Sequence, residues 1–287
     1  MNVALGPGDL VLCSGSLSRD VTFGDRVTAA VAGGFAGISL WGRDYERARS
    51  EGWSDADLRA VLADNGLSVA EIDPVWWWPP GAAEVVVPHE LDTQNVFGFG
   101  EIELFAVADA LGARSVNAVD VFGGPWSLDQ AAGAFADLCD RAGEHGLLVH
   151  LEFLPWSRIP DLAAAWQVVG QADRPNGGIT VDAWHYFRGN PDPGVLDDVP
   201  GAKVLGIQLD DAPAAPEADL LTASLHDRLM PGHGELDLGA LLEGLARIGA
   251  QAPIGVEVFS DELHALPAAE AGSRAGKATR EVLARRR

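Results

Sequence analysis

Four short apolar runs in the second half of the chain each carry one acidic or amide side chain near their end. They are LLVHLEF with Glu152, GITVDA with Asp182, VLGIQL with Gln208 and IGVEVF with Glu257. In a β-strand, successive side chains point to opposite faces, so the apolar neighbours would face helices while the polar residue points inward. Three carboxylates brought together in such a place are very costly without a countercharge.

A divalent cation would offset that cost. Three carboxylates and an amide carbonyl make an oxygen-rich donor set that suits Mn²⁺ or Mg²⁺, with Co²⁺ as a further candidate, and that is untypical of structural zinc. We therefore predict one divalent metal ion held by Glu152, Asp182, Gln208 and Glu257. The alternative to a metal site is that each of the four side chains is buried separately and forms its own hydrogen bonds. Matching positions in four consecutive runs favour the shared site, because clustered acids mark functional sites.

The elements that must bring these residues together are eight β-rich runs separated by amphipathic helical stretches. The runs cover residues 10–16, 37–41, 68–73, 115–120, 147–153, 178–183, 204–209 and 254–259. Two predicted helices begin at the capping residues Ser54 and Ser127. Three more helices are predicted over residues 92–111, 236–248 and 268–284. The segment 187–200 is rich in Pro, Gly and Asp, which predicts a loop with a short helix.

Alternating strands and helices form either an open doubly wound sheet or a closed barrel. A doubly wound nucleotide-binding sheet should carry a glycine-rich turn after a strand. The nearest match, Gly98-Phe99-Gly100, lacks the third glycine and follows no predicted strand. Eight strand–helix units in 287 residues fit a closed (β/α)8 TIM barrel, an α/β fold with its chemistry at the C-terminal ends of the strands. No long linker divides the chain, so we predict one domain over residues 1–287.

Composition excludes several classes of partner. The formal net charge of −22 argues against a nucleic-acid surface, which needs a basic footprint. No apolar run reaches the roughly 18 residues that a membrane span requires. The two cysteines, Cys13 and Cys139, form no CxxC pair, which predicts neither a zinc ribbon nor a disulfide framework and favours a reducing cytoplasm.

These residues carry a family resemblance over essentially the whole chain. The pattern resembles the sugar phosphate isomerase/epimerase family, the xylose-isomerase-like barrels. The matching pieces are HLEFLP with Glu152, DAWH with Asp182 and His185, GIQLDD with Gln208, Arg228 with PGHGELD at 231–237, and GVEVF with Glu257. Many members have histidine as the third metal ligand. Gln208 in that place resembles the hydroxypyruvate-isomerase-like and dehydroshikimate-dehydratase-like branches.

The resemblance implies enediolate chemistry. The metal would act as a Lewis acid on a substrate carbonyl, while Glu152 and Glu257 remove and return a proton on opposite sides of the substrate. This predicts an isomerase or epimerase of a small hydroxy-carbonyl, sugar-like compound. The same enolate can instead expel a leaving group, so a lyase remains open, either a dehydratase or a glycoside β-eliminating enzyme. A non-catalytic binding barrel is disfavoured because both glutamates are present.

Further side chains are candidates for substrate binding. His185 would contact substrate or support a ligand, and Arg228 would bind a polar or anionic group unless it forms a surface ion pair. Trp77 and Trp184 follow strand ends, where aromatic rings form pocket walls or fill gaps between loops. With indoles outnumbering basic groups, the predicted substrate is an unphosphorylated sugar, a hydroxy acid or a ring-bearing glycoside. His150 is predicted to be a satisfied core histidine. Monomer and homo-oligomer both remain open.

Overall fold

A closed barrel of eight parallel strands forms the centre of the protein, confirming the predicted (β/α)8 fold. The computed structural model describes residues 4–87, 92 and 95–285. The strands pair in chain order, and β1 closes the barrel against β8. They are β1 Leu10–Leu12, β2 Gly37–Leu40, β3 Ser68–Val75, β4 Ser115–Val119, β5 Leu148–Glu152, β6 Gly177–Asp182, β7 Val204–Leu209 and β8 Ile254–Val256.

Helices follow the strands and cover the outside of the barrel. They are α1 Phe23–Gly33, α2 Gly42–Ser50, α3 Asp55–Asp64, α4 Glu101–Leu111, α5 Leu128–Glu144, α6 Leu162–Ala172, α7 Ala183–Arg188, α8 Pro193–Asp198, α9 Leu220–His226, α10 Leu238–Arg247, α11 Asp261–His264 and α12 Ala268–Ala284. The predicted starts of α3 and α5 are confirmed, because the Ser54 and Ser127 hydroxyls each accept a backbone N–H three residues later in a capping box. Among the described residues, no helix is long and apolar enough to cross a bilayer.

The first and last predicted strands are much shorter than expected, and one hydroxyl explains both. Residues 14–16 form a 3-10 turn, and the last strand ends at Val256, before 257–259. Ser16 Oγ donates to Val256 O and accepts from Val258 N, both at 2.8 Å. The side chain thus replaces the backbone pairing that would have continued the ladder. As a result, Glu257 lies directly after β8 instead of inside it.

The predicted helix 92–111 is also shorter than expected. The helix begins at Glu101, with Gly100 as its N-cap residue. Glycine at 98 and 100 disfavours helix by about 1 kcal/mol per residue relative to alanine, so the apolar spacing there does not produce a helical start. Residues 93 and 94 lie outside the described residues. The short helix predicted within 187–200 is confirmed as α8.

The barrel interior beneath the strand ends is polar, and His150 is at its centre. The His150 ring is fully buried and lies 3.1 Å from Asn117 Oδ1 through Nδ1. Its Nε2 is 3.0 Å from Ser115 Oγ and 3.2 Å from a Glu71 carboxylate oxygen. The expected core histidine is therefore confirmed, with hydrogen-bonding partners on both nitrogens.

Candidate functional site

The four predicted metal ligands converge at the C-terminal ends of four neighbouring strands. Glu152 and Asp182 end β5 and β6, Gln208 is the penultimate residue of β7, and Glu257 directly follows β8. Each of these residues is at most 5% exposed. Asp182 and Gln208 are register partners across the two strands, and Gln208 also pairs with Gly255. A Cβ at Gly255 would lie 3.1 Å from Gln208 Cγ, so this glycine makes room for the amide side chain.

Several polar atoms of the site have no hydrogen-bonding partner. Glu152 Oε1 and both amide atoms of Gln208 are buried and unpaired within the described part of the chain. A buried polar atom without a partner costs about 1–3 kcal/mol, so natural proteins rarely keep a cluster of them. Ligand atoms of Glu152, Asp182 and His185 also lie within 4.8 Å of one another. The oxygens of this set fit a divalent ion, which would pair with Glu152 Oε1 and with the amide oxygen of Gln208.

Two glutamates of the site, Glu152 and Glu257, have raised pKa values. Burial raises the pKa of Glu152 well above its ordinary value, and the nearby carboxylates of Asp182 and Asp73 raise it further. Burial likewise raises the pKa of Glu257, with Glu152 as the next contribution. A cation bound between these groups would favour their ionised forms and would therefore displace protons.

Arg228 is a buried countercharge within this site, so the alternative of a surface ion pair is wrong. The side chain is 2% exposed, and each of its five N–H groups has an acceptor nearby. Nη1 donates to Asp182 Oδ2 at 2.9 Å and to Asp210 Oδ2 at 2.7 Å. Nε donates to Ser224 O, and Nη2 lies 2.9 Å from Ser224 Oγ and 3.2 Å from His185 Nε2. The guanidinium has no spare donor for a substrate.

The charge of Arg228 is secured by its surroundings. Burial works against the guanidinium charge, but Asp182, Asp210, Glu257 and Glu152 outweigh it and hold the pKa above its ordinary value. One guanidinium therefore faces four carboxyl groups. The carboxyl groups thus outnumber the cationic groups, and a divalent ion would compensate the excess negative charge.

The loop that carries Arg228 is held by one aspartate. Asp211 Oδ2 accepts from Gly232 N and Asp211 Oδ1 accepts from Leu236 N, each at 3.0 Å. These bonds fold the PGHGELD segment, 231–237, back onto the end of β7. The backbone N–H of Arg228 donates to Phe259 O at 3.0 Å, which ties the same loop to the segment after β8.

His185 is oriented by two site residues. Asp182 caps α7, and its Oδ1 accepts the backbone N–H of His185 at 2.7 Å. The guanidinium of Arg228 can only donate, so His185 Nε2 is the acceptor and the ring proton lies on Nδ1. Burial lowers the pKa of His185 to about 3, which keeps the imidazole neutral. His185 Nε2 is also 3.5 Å from Glu152 Oε1, so the ring borders the unpaired oxygen.

Some aromatic side chains are half-buried and could contact a substrate, whereas others are fully buried and only fill space. Trp77 is half-buried, stacks on Phe122 with ring centroids 4.8 Å apart, and donates its indole N–H to Phe97 O. Trp184, in contrast, has no accessible surface and packs beneath Arg228, so the structure does not offer it to a substrate. The half-buried Trp156 meets the His185 ring edge-on at 5.5 Å. It replaces Trp184 as the candidate wall on that side.

Three further buried polar residues contribute to the site, although the pattern of strand ends did not single them out. Asp210 pairs with Arg228 and directly follows β7, two residues after Gln208. Asp73 lies near the end of β3, where burial and then Glu71 raise its pKa to about 7. Asn117 lies inside the apolar run of β4 and donates to Glu152 Oε2. In the sequence, Asp73 and Asn117 are polar residues inside strands, and Asp210 directly follows one.

Comparison with known proteins identifies the family. A model described as "Xylose isomerase-like TIM barrel" matches residues 27–282. The chain belongs to this family. It is 30% identical to a 3-dehydroshikimate dehydratase from Pseudomonas aeruginosa over 88% of this chain and 38% of that protein. It is also 30% identical to an inosose isomerase from Bacillus subtilis, over 52% of this chain and 53% of that protein.

A solved structure extends the comparison of folds. The IOLI protein, crystallised with a bound zinc atom, superimposes with a TM-score of 0.83 at 20% identity, covering 97% of this chain and 99% of its own. The curated relatives are enzymes, one a dehydratase and one an isomerase. This chain spans about two fifths of the length of the 3-dehydroshikimate dehydratases that it matches.

Proposed function

We propose that the protein is a divalent-metal-dependent enzyme that removes a proton next to the carbonyl group of a small cyclic hydroxyketone and expels water from the product of that step. The observation that carries this proposal is the convergence of Glu152, Asp182, Gln208 and Glu257 at the barrel mouth, with unpaired oxygens on Glu152 and Gln208. Isomerisation through the same proton abstraction is the second candidate.

The residues divide between holding the metal and moving the proton. Asp182 and Gln208 would hold the ion together with Glu152 and Glu257. When bound, the ion would act as a Lewis acid that polarises the carbonyl group. The carboxyl groups of Glu152 and Glu257 can each accept and return a proton, as general acid–base catalysis requires. Neutral His185 borders Glu152 and would hydrogen-bond a substrate oxygen through Nδ1, which has no partner among the described residues.

Arg228 takes a different role from the one that the resemblance implied. Its donors are saturated by protein acceptors, so we assign it to holding Asp182 and His185 in place instead of binding substrate. This assignment favours substrate recognition by the ion, by His185 and by the aromatic rim of Trp77 and Trp156. Aromatic walls suit a ring compound.

The extent of the two matches favours dehydration over isomerisation. The dehydratase match runs along most of this chain, whereas the isomerase match covers about half. 3-Dehydroshikimate and inosose are both six-membered carbocyclic hydroxyketones, so one site shape could serve either. Gln208 in place of a histidine ligand resembles both the dehydroshikimate-dehydratase-like and the hydroxypyruvate-isomerase-like branches, so it does not separate the two reactions.

Deuterium exchange separates the two outcomes. In D₂O with Mn²⁺, we expect 3-dehydroshikimate to lose water, because the carbanion formed by proton removal expels its β-hydroxyl group. An isomerase would instead return inosose carrying deuterium next to the carbonyl with no loss of water. Mass spectrometry and NMR read both results, with EDTA-treated protein as the control. The proposal fails if neither compound exchanges or loses water with Mn²⁺, Mg²⁺ or Co²⁺.

A further inference from the structure

Asn117 joins two buried carboxyl groups at the mouth of the barrel. Its side chain is fully buried on β4, and Nδ2 lies 2.6 Å from Glu152 Oε2 and 3.0 Å from Asp73 Oδ1. Its Oδ1 lies 3.1 Å from His150 Nδ1. Flipping the amide would turn its oxygen towards two carboxyl groups, so the hydrogen-bond network fixes its orientation.

Asp73 is itself held in place by a second hydrogen bond. Its other oxygen, Oδ2, accepts from the indole N–H of Trp41 at 3.2 Å, and the Trp41 ring stacks on Phe259 with centroids 6.1 Å apart. With one N–H held by Asp73, Asn117 can direct its second N–H only towards Glu152. The position of that donor is therefore set by groups from β3 and from the segments that follow β2 and β8.

The consequence is that the two oxygens of Glu152 are not equivalent. Oε2 is held by Asn117, while Oε1 has no hydrogen-bonding partner among the described residues and faces His185 at 3.5 Å. A carboxylate can bind a cation through one oxygen or through both. A short hydrogen bond to Oε2 opposes the second mode, because the amide occupies the place that a cation would need.

We infer that Asn117, braced by Asp73, is a positioning residue that restricts Glu152 to binding the ion through Oε1 alone and so keeps a coordination position open for substrate. The inference rests on the proposed function, since it requires that a cation binds here. It adds a specific role for two residues outside the ligand set.

Bound Mn²⁺ can be used to measure whether a coordination position is open. Water-proton relaxation counts the exchangeable waters on bound Mn²⁺, and we expect Asn117→Ala and Asn117→Leu to bind the ion with about one water fewer than the wild type, because Glu152 then binds through both oxygens. Turnover should fall about 10- to 100-fold, the usual effect of losing a partner behind a ligand. Leucine leaves no cavity, so agreement between the variants separates loss of the donor from loss of packing.

Ser115→Ala is the matched control. Ser115 lies on the same strand face and contacts His150, but not Glu152, so its variant should keep the wild-type water count. A crystal structure of the Mn²⁺-loaded wild type needs no variant and should show one Glu152 oxygen at about 2.1 Å from the ion, with the other still on Asn117. Coordination by both oxygens, or an unchanged water count in both Asn117 variants, overturns the inference alone. A wild type that binds no Mn²⁺ overturns the proposed function as well.

Discussion

Glu257→Gln is expected to lower turnover about 10²- to 10⁴-fold while leaving most of the metal bound. The amide keeps the size and the carbonyl oxygen of the glutamate, so it can still face the ion. It cannot accept a proton as a carboxylate does, and Glu257 is one of two acid/base groups in the proposed reaction. Steady-state rates with 3-dehydroshikimate and with inosose, alongside metal content by elemental analysis, measure both effects.

The control for this variant is Glu262→Gln, the same change at an exposed position on α11. It should retain wild-type turnover. If Glu257→Gln is folded, binds the ion and turns over substrate at the wild-type rate, then Glu257 is not an acid/base group. The proposal would then have to place that role on another residue.

Arg228→Met is expected to destabilise the metal-free protein by about 3–5 kcal/mol. The substitution keeps much of the side-chain volume but leaves Asp182 and Asp210 buried without their cation. A divalent ion would partly replace the lost charge, so saturating Mn²⁺ should recover part of that stability. Urea unfolding with EDTA and with Mn²⁺ gives the two free energies of unfolding.

Arg247→Met provides the comparison. Arg247 pairs with Asp197 on the surface, where both side chains are about half exposed. Arg247→Met should therefore lower the free energy of unfolding by at most about 1 kcal/mol. Equal losses in the two variants would show that Arg228 is not a buried countercharge. A loss in Arg228→Met that Mn²⁺ leaves unchanged would argue that the ion binds elsewhere.

The strand order and the four candidate ligands were predictable because both depend on local pattern. Strand residues alternate between faces, so a single acid in an apolar run such as LLVHLEF indicates an inward polar side chain. Capping residues such as Ser54 act within one turn and are equally visible. The closed barrel then follows from the number of strands and the length of the chain.

What the pattern did not predict depends on contacts between distant residues. Arg228 lies on a loop, and nothing in its neighbourhood shows that Asp182 and Asp210 enclose it. The early end of β8 comes from the Ser16 hydroxyl, about 240 residues away in sequence. The burial of Trp184 beneath a guanidinium likewise depends on how two loops pack together.

Calorimetric titration of the EDTA-treated chain with Mn²⁺ measures directly whether the converging side chains form a metal site. We expect one Mn²⁺ per chain in the wild type, with much weaker binding in Asp182→Ala, which loses one of the converging ligands. Purified protein without any divalent metal, together with no heat of binding for Mn²⁺, Mg²⁺ or Co²⁺, would contradict it.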